Sequence, residues 1–368
     1  MRRSILRTTA AFFAAVGLTA SAATISTANA ALSSKPAPAA SESPVLPWTD
    51  MGPHGPYAKD IINGMAKQGL TENLTPPSAN IACTPAPGEN PVVLLHGMNS
   101  NAYQTYAGMS SKLAELGKCV YAFNVGKMPG TLTPDGSSLI GSVPITRAMA
   151  PFETSVAQFT DYINRLKEQT GATEVDLVGH SAGATIATAY AKQEQGHGVG
   201  TIVSISGVLH GTSLLGVSYA LEKLNALNGF GDNLITLAVS PSTRQLLQHS
   251  DYMAQLNEGG IEVPGVRYAS ISTRFDEAVT PLAASQFTSP EATNHVLQDG
   301  CSLDASEHVG ITYSPRAIAL TANELGRNVE VPCTPVTGFI DGGSSMDADW
   351  LPSMDDIVNP IAEGSSKF

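Results

Sequence analysis

The sequence predicts an α/β fold with a mostly parallel, doubly wound central sheet and a helical cap insertion. Short apolar runs typical of buried strands alternate with helical patterns along the chain, as in consecutive β-α-β units. One such run, residues 175–178, leads into the turn Gly-His-Ser-Ala-Gly at 179–183 and then into a helix of small residues. Of the 368 residues, 42% are hydrophobic, which is enough to form a sizeable core.

The individual elements follow from hydrophobic periodicity and from breaker residues. Strand candidates cover residues 92–95, 119–125, 175–178, 201–206 and 266–272. Helical patterns cover residues 58–68, 103–116, 151–170, 184–192 and 315–325. The longest of them places Val156, Phe159, Ile163 and Leu166 on one face and ends at Gly171.

The N-terminus has the features of a Sec-type signal peptide. Three arginines precede the apolar stretch 9–20, which is too short to span a bilayer. Ala28-Asn29-Ala30 is a small-residue cleavage site, and an earlier cut after Ala22 is the alternative. We therefore expect residues 1–30 to be removed and the mature protein to be secreted into the extracellular medium.

The remaining chain divides by composition. We expect a flexible leader and N-terminal arm at 31–80, a catalytic domain at 81–333 and a C-terminal tail at 334–368. Residues 207–262 contain two weak helical patterns and form a possible cap or lid. Its apolar stripe could line an acyl pocket or be ordinary core packing, and it comprises Leu214, Leu215, Val217, Leu221, Leu224, Leu227 and Phe230.

The charge balance excludes several classes of partner. The formal net charge is −12, and no basic patch is available to neutralise phosphates. This argues against nucleic acid and against anionic membrane surfaces as partners. No segment after the N-terminus is long and apolar enough to suggest a membrane span.

Four cysteines in an exported chain suggest two disulfides, for which three connectivities exist. Cys83 and Cys119 lie in or just before neighbouring strand candidates, whereas Cys301 and Cys333 bracket the last helix. We therefore predict the pairs Cys83–Cys119 and Cys301–Cys333. Four free thiols are the alternative.

The turn at 179–183 is a G-x-S-x-G pentapeptide between a strand and a helix, the context of a nucleophile elbow. Glycine tolerates the crowding on both flanks of so tight a turn, and the turn lifts the Ser181 hydroxyl out of the sheet. The alternative is a chance match within an ordinary turn. Since a serine hydroxyl needs a base to become nucleophilic, the other members of a catalytic triad should follow downstream.

His308 is the predicted base because it lies in a loop that enters the last helix. The other downstream histidines are His197, His210, His249 and His295. Asp276, in the loop after the strand at 266–272, is the predicted acid. Glu277 and Asp304 are the alternative acids, and Asp276 could instead only cap a turn or pair with Arg274.

Two backbone amides should stabilise the oxyanion formed in acyl transfer. Ala182 follows the nucleophile, and Met98 belongs to the loop after the first core strand. In that loop His96 is expected to shape the backbone rather than to act as a base. The sequence contains no metal-ligand or phosphate-loop motif, so we expect no metal and no cofactor.

These motifs resemble the secreted actinobacterial triacylglycerol lipases and esterases of the class 2 lipase family. The resemblance covers roughly residues 80–333 and rests on the segments PVVLLHGM (91–98), VDLVGHSAGA (175–184), HGTSL (210–214), VPGVRYASISTRFDEAVTP (263–281) and LQDGCSLDASEHVGI (297–311). It implies the α/β-hydrolase fold, carboxylic ester hydrolysis, Ser181, Asp276 and His308 as triad, Met98 and Ala182 as oxyanion donors, and Cys301 as a half-cystine.

This chain departs from the family at three points, one of which is a C-terminal tail without a counterpart in the family. Many relatives carry glutamine at the position of Ala182, and some have a further cysteine pair in the cap. The backbone amide of residue 182 can still donate to the oxyanion, although the wall of the pocket changes.

From the motifs and the resemblance, we expect a monomeric lipase or esterase that acts on lipid esters and contacts a lipid interface. An acyltransferase acting on envelope lipids or sugars and an inactive binding protein of the same fold are the alternatives.

Overall fold

The fold is built on one parallel sheet. The computed structural model describes residue 46 and residues 48–128, 145–213 and 240–337. Its six strands are arranged in the order β2-β1-β3-β4-β5-β6, and every neighbouring pair is parallel. The strands are β1 (Val92–Leu95), β2 (Val120–Phe123), β3 (Val175–His180), β4 (Val199–Ile205), β5 (Arg267–Ser272) and β6 (Thr293–Val296). The predicted parallel sheet is confirmed.

The described helices are short apart from one. They are α1 (Ile61–Gln68), α2 (Ala102–Tyr106), α3 (Met109–Glu115), α4 (Phe152–Thr170), α5 (Ala182–Gln193), α6 (Pro241–Gln245), α7 (Asp251–Asn257), α8 (Leu297–Gly300) and α9 (Pro315–Glu324). Single 3-10 turns cover Leu282–Ser285 and Gly310–Tyr313. None of these helices is long and apolar enough to cross a membrane.

The sheet is covered on both faces. On one face the apolar side of α4 packs with α5 against the strands, and all four residues predicted for that side of α4 are buried. On the other face, α2, α3 and α9 cover the sheet. The strands are therefore buried on both sides, which is why they read as continuous apolar runs. Gly171 ends α4 in the left-handed conformation with φ 72°.

Three segments differ from the sequence-based prediction, and one of them is β6, which was not among the five strand candidates. The helix predicted at 103–116 is divided into α2 and α3 at Gly108, where a Cβ would lie 3.0 Å or less from Tyr313 Cδ1 and the Ala58 carbonyl oxygen. Leu46, which lies in the predicted flexible leader, is fully buried in the core. Trp48 follows it and donates a hydrogen bond to Gln169 on α4.

Other predicted regions fall partly or wholly outside the described residues. The signal peptide at 1–30, the whole apolar stripe of the predicted cap and the tail beyond residue 337 are among them. At the start of the predicted tail, Val336 is buried and forms a parallel bridge with Asp304. The domain boundaries as a whole stay predictions.

The cysteines form the two predicted pairs. Cys83 bonds to Cys119 directly before β2, and Cys301 bonds to Cys333. No described cysteine is free. The second bond ties the loop after α8 to the segment after α9, which contains Val336.

Candidate active site

Ser181 occupies a strained turn between β3 and α5. Its backbone has φ 54° and ψ −122°, which a non-glycine residue rarely adopts. A Cβ on Gly183 would lie 2.2 Å from the Leu95 carbonyl oxygen, and one on Gly179 would lie 2.5 Å from the Ala184 backbone. The two glycines therefore let α5 start against the end of β1, as the sequence predicted for so tight a turn.

The structure brings the Ser181 hydroxyl, the His308 imidazole and the Asp276 carboxylate together in one chain of hydrogen bonds. The distance between His308 Nε2 and Ser181 Oγ is 2.9 Å, and that between His308 Nδ1 and Asp276 Oδ2 is 3.0 Å. In the neutral ring, Nδ1 donates to the carboxylate, which leaves Nε2 free to accept the serine proton. All three side chains are largely buried.

The electrostatics of the pair favour an ionised acid and a basic imidazole. Burial on its own would lower the pKa of His308, but the charge and hydrogen bond of Asp276 outweigh it and raise that pKa above 6.5. Burial likewise opposes ionisation of Asp276, yet His308 and the Val279 amide lower its pKa below the ordinary value. Asp276 Oδ1 accepts hydrogen bonds from the amides of Ala278 and Val279, which fix the carboxylate.

The two alternative acids have other contacts. Asp304 is buried and accepts hydrogen bonds from Ser306 and from the Ser314 hydroxyl, so it organises the loop that carries His308. Glu277 accepts a hydrogen bond from the backbone amide of His308 at 3.3 Å, not from its ring.

Two of the histidines weighed as alternative bases have partners away from Ser181. His210 contacts the Asn257 side chain and the Gln286 carbonyl, and His295, on β6, pairs with Glu324 at 2.7 Å. His295 thus has a structural partner and does not contact Ser181.

The loop after β1 passes close over the elbow. A Cβ on Gly97 would lie 2.9 Å from His180 Nδ1 and 3.1 Å from Ser181 Cβ, so this approach requires glycine. His96 Nδ1 donates to the Gly97 carbonyl, and His96 Nε2 accepts from the Val125 amide. Burial lowers the pKa of His96 to about 4, which keeps the ring neutral in this loop-shaping position.

Met98 and Ala182 flank the serine from two sides. Asn99 turns the chain with φ 56° and donates its amide to the Arg147 carbonyl, and the Met98 sulfur contacts the Thr243 hydroxyl at 3.0 Å. Within the described parts of the chain, the backbone amides of Met98 and Ala182 donate to no backbone acceptor.

His180 is a further residue of the site that the sequence analysis did not single out. Its Nε2 donates to the His308 carbonyl at 2.8 Å, and the two rings are 5.0 Å apart. Burial, reinforced by the neighbouring His308, lowers the pKa of His180 to about 3, so the ring is neutral. Its position inside the pentapeptide was the only sequence feature that pointed to His180, because its partner lies 128 residues away in sequence.

No cluster of His, Cys, Asp or Glu suited to a metal occurs among the described residues.

The sheet and the site together define the class of fold. A family described as having the alpha/beta hydrolase fold matches residues 90–248, a span that includes Ser181 and ends before Asp276. The chain has the α/β-hydrolase fold.

Solved structures similar to this chain include several lipolytic enzymes. Lipase B of Aspergillus fumigatus is 19% identical with a TM-score of 0.49, and the match covers 70% of this chain and 61% of that one. Lipase BlEst2 of Bacillus licheniformis in its mature form is 15% identical with a TM-score of 0.41, covering 58% and 85%. Phospholipase PlaB of Legionella pneumophila is 12% identical with a TM-score of 0.45, covering 65% and 60%. No curated protein matches the sequence.

Proposed function

We propose that this chain is a secreted serine hydrolase that cleaves carboxylic esters, with acylglycerols as its substrate class. The observation that carries the proposal is the hydrogen-bonded series from Ser181 through His308 to Asp276. The two disulfides and the N-terminal apolar stretch support secretion.

In the proposed mechanism, Ser181 Oγ attacks the ester carbonyl carbon while His308 Nε2 takes the hydroxyl proton. The resulting imidazolium is stabilised by the Asp276 carboxylate. The negative oxygen of the tetrahedral intermediate is held by the amides of Met98 and Ala182. When the intermediate collapses, His308 returns the proton to the leaving alcohol, and an acyl group remains on Ser181.

Water then attacks the acyl-enzyme with His308 again as base, which releases the carboxylic acid and restores the serine. His180 would act as a positioning residue, since it holds the His308 backbone and not the reacting atoms. Asp304 would fix the same loop through Ser306 and Ser314.

The proposal is tested by hydrolysis of p-nitrophenyl esters of graded chain length. We expect kcat/KM to fall about 10⁴-fold or more in Ser181→Ala and in His308→Gln. Exposed Ser302 provides a matched serine-to-alanine control that should keep wild-type turnover. Undiminished turnover in Ser181→Ala would rule the mechanism out. Fatty-acid release from emulsified triacylglycerol then tests the acylglycerol assignment separately.

A further inference from the structure

The N-terminal arm exposes four large apolar side chains within 14 residues of sequence, which we call the arm patch. It consists of Tyr57, Ile62, Met65 and Leu70, with exposed fractions of 46%, 44%, 39% and 85%. Ile62 and Met65 lie three residues apart on the outer face of α1, so their side chains are neighbours. Leu70 follows the end of the helix. Large apolar side chains clustered on a surface are typical of an interaction site.

The inner face of α1 is anchored to both loops of the candidate active site. Asn101, two residues after Asn99, donates its side-chain amide to Gln68 at 3.0 Å. Ile61 belongs to an apolar cluster that includes Tyr313 and borders Val309, the residue after His308. The arm patch is therefore held in a fixed position relative to the oxyanion loop and to the His308 loop.

The charges around the arm patch suit an uncharged lipid surface. From residue 51 to residue 72 the charged side chains are two lysines, Lys59 and Lys67, and two carboxylates, Asp60 and Glu72, so their charges cancel. Asp60 is 2% exposed and accepts a hydrogen bond from the Asn63 amide at the start of α1, and Glu72 pairs with Lys127 at 3.0 Å. Lys67 is exposed, and its ammonium group donates a hydrogen bond to the Tyr57 carbonyl at 2.7 Å while its methylenes can lie along the lipid.

A second copy of the chain is a weaker fit to this surface. A stable dimer interface buries about 800 Å² on each partner and takes about 20 residues or more, whereas the arm patch offers four large side chains. Insertion into the boundary between lipid headgroups and acyl chains needs only a few apolar side chains on one helix face. The net charge of −12 disfavours an anionic surface.

We propose that the arm patch inserts into the surface of uncharged lipid aggregates and thereby holds the active-site loops against their substrate. This inference extends the proposed function, because a lipid ester hydrolase has to act at such a surface. Binding, unlike turnover, does not require an intact triad, so the two proposals can fail separately.

The test is vesicle co-sedimentation with the full-length chain carrying Ser181→Ala, which keeps the lipid intact. Phosphatidylcholine vesicles should bind this protein, and vesicles with equal parts of phosphatidylglycerol should bind it more weakly. In the same background, the combined change Ile62→Ser, Met65→Ser and Leu70→Ser should weaken binding about tenfold or more. Circular dichroism verifies that this variant is folded.

Ile81 supplies the matched control. It is 47% exposed and lies two residues before Cys83, which bonds to Cys119 at the amino end of β2 and hence at the edge of the sheet opposite Ser181. Ile81→Ser should bind vesicles like its parent. Three results would overturn the inference: absence of binding by the parent, equal binding by the triple variant, or a dimer that the triple variant dissociates.

Discussion

Replacing Gly183 by alanine is the sharpest perturbation of the elbow. The new methyl carbon would lie 2.2 Å from the Leu95 carbonyl oxygen and 2.7 Å from that of His96, both of them backbone atoms. Contacts under 3.0 Å are essentially never found for a Cβ, so α5 and the end of β1 must separate by about 0.8 Å. That movement carries Ser181 away from the oxyanion loop.

We expect kcat on a soluble p-nitrophenyl ester to fall about 10²-fold, since a displacement near 1 Å has that effect in an oriented site. Overpacking should also lower the free energy of unfolding by about 1–3 kcal/mol, measured by urea denaturation. The control is Gly300→Ala, because Gly300 is exposed and the atoms nearest to its Cβ would belong to the guanidinium end of the long Arg316 side chain and not to the backbone. Wild-type kcat in Gly183→Ala would refute the reasoning.

Three further predictions concern pH and covalent structure. The rise of kcat/KM with pH should have its midpoint above pH 6.5, because Asp276 raises the pKa of His308. Asp276→Asn should move this midpoint to lower pH. An unmoved midpoint would contradict the electrostatic effect of Asp276 on His308. Burial raises the pKa of Glu307 from 4.5 to about 7. This shift contributes up to about 3 kcal/mol to the free energy of unfolding below pH 4.5, and the contribution is lost as the pH rises through 7. Urea unfolding of Glu307→Gln should lack this loss, and an unchanged pH profile would be the opposing result. Replacing Cys83 and Cys119 by serine opens a crosslink between residues 36 apart and should lower the free energy of unfolding by about 2–4 kcal/mol, which equal urea midpoints would disprove.

The individual strands and helices could be predicted from the sequence for a physical reason. Strands buried on both faces require continuous apolar runs, and a long helix shows its period and its terminating glycine. The division at Gly108 could not be predicted from the sequence, because the Tyr313 ring that packs against this glycine comes from a distant part of the chain. The docking of Leu46 into the core likewise depends on contacts that composition does not reveal.

The candidate active site was likewise predictable only in part. Ser181 lies in a recognisable sequence motif, and the positions of Asp276 and His308 follow from the order of the strands. All three residues of the proposed triad could therefore be predicted from the sequence. The hydrogen bonds that hold the His308 loop in place could not be predicted from the sequence. His180 holds the His308 carbonyl across a long sequence separation, and Asp304 is hydrogen-bonded to Ser306 and Ser314 instead of to the imidazole.

The reactivity of the serine hydroxyl is the central claim, and covalent labelling measures it most directly. A fluorophosphonate probe followed by peptide mass spectrometry should place a single adduct on the peptide that contains Ser181. The labelling rate should fall about 10³-fold or more in His308→Gln, since the base is then lost. An adduct on another residue, or equal labelling of Ser181→Ala, would contradict the account.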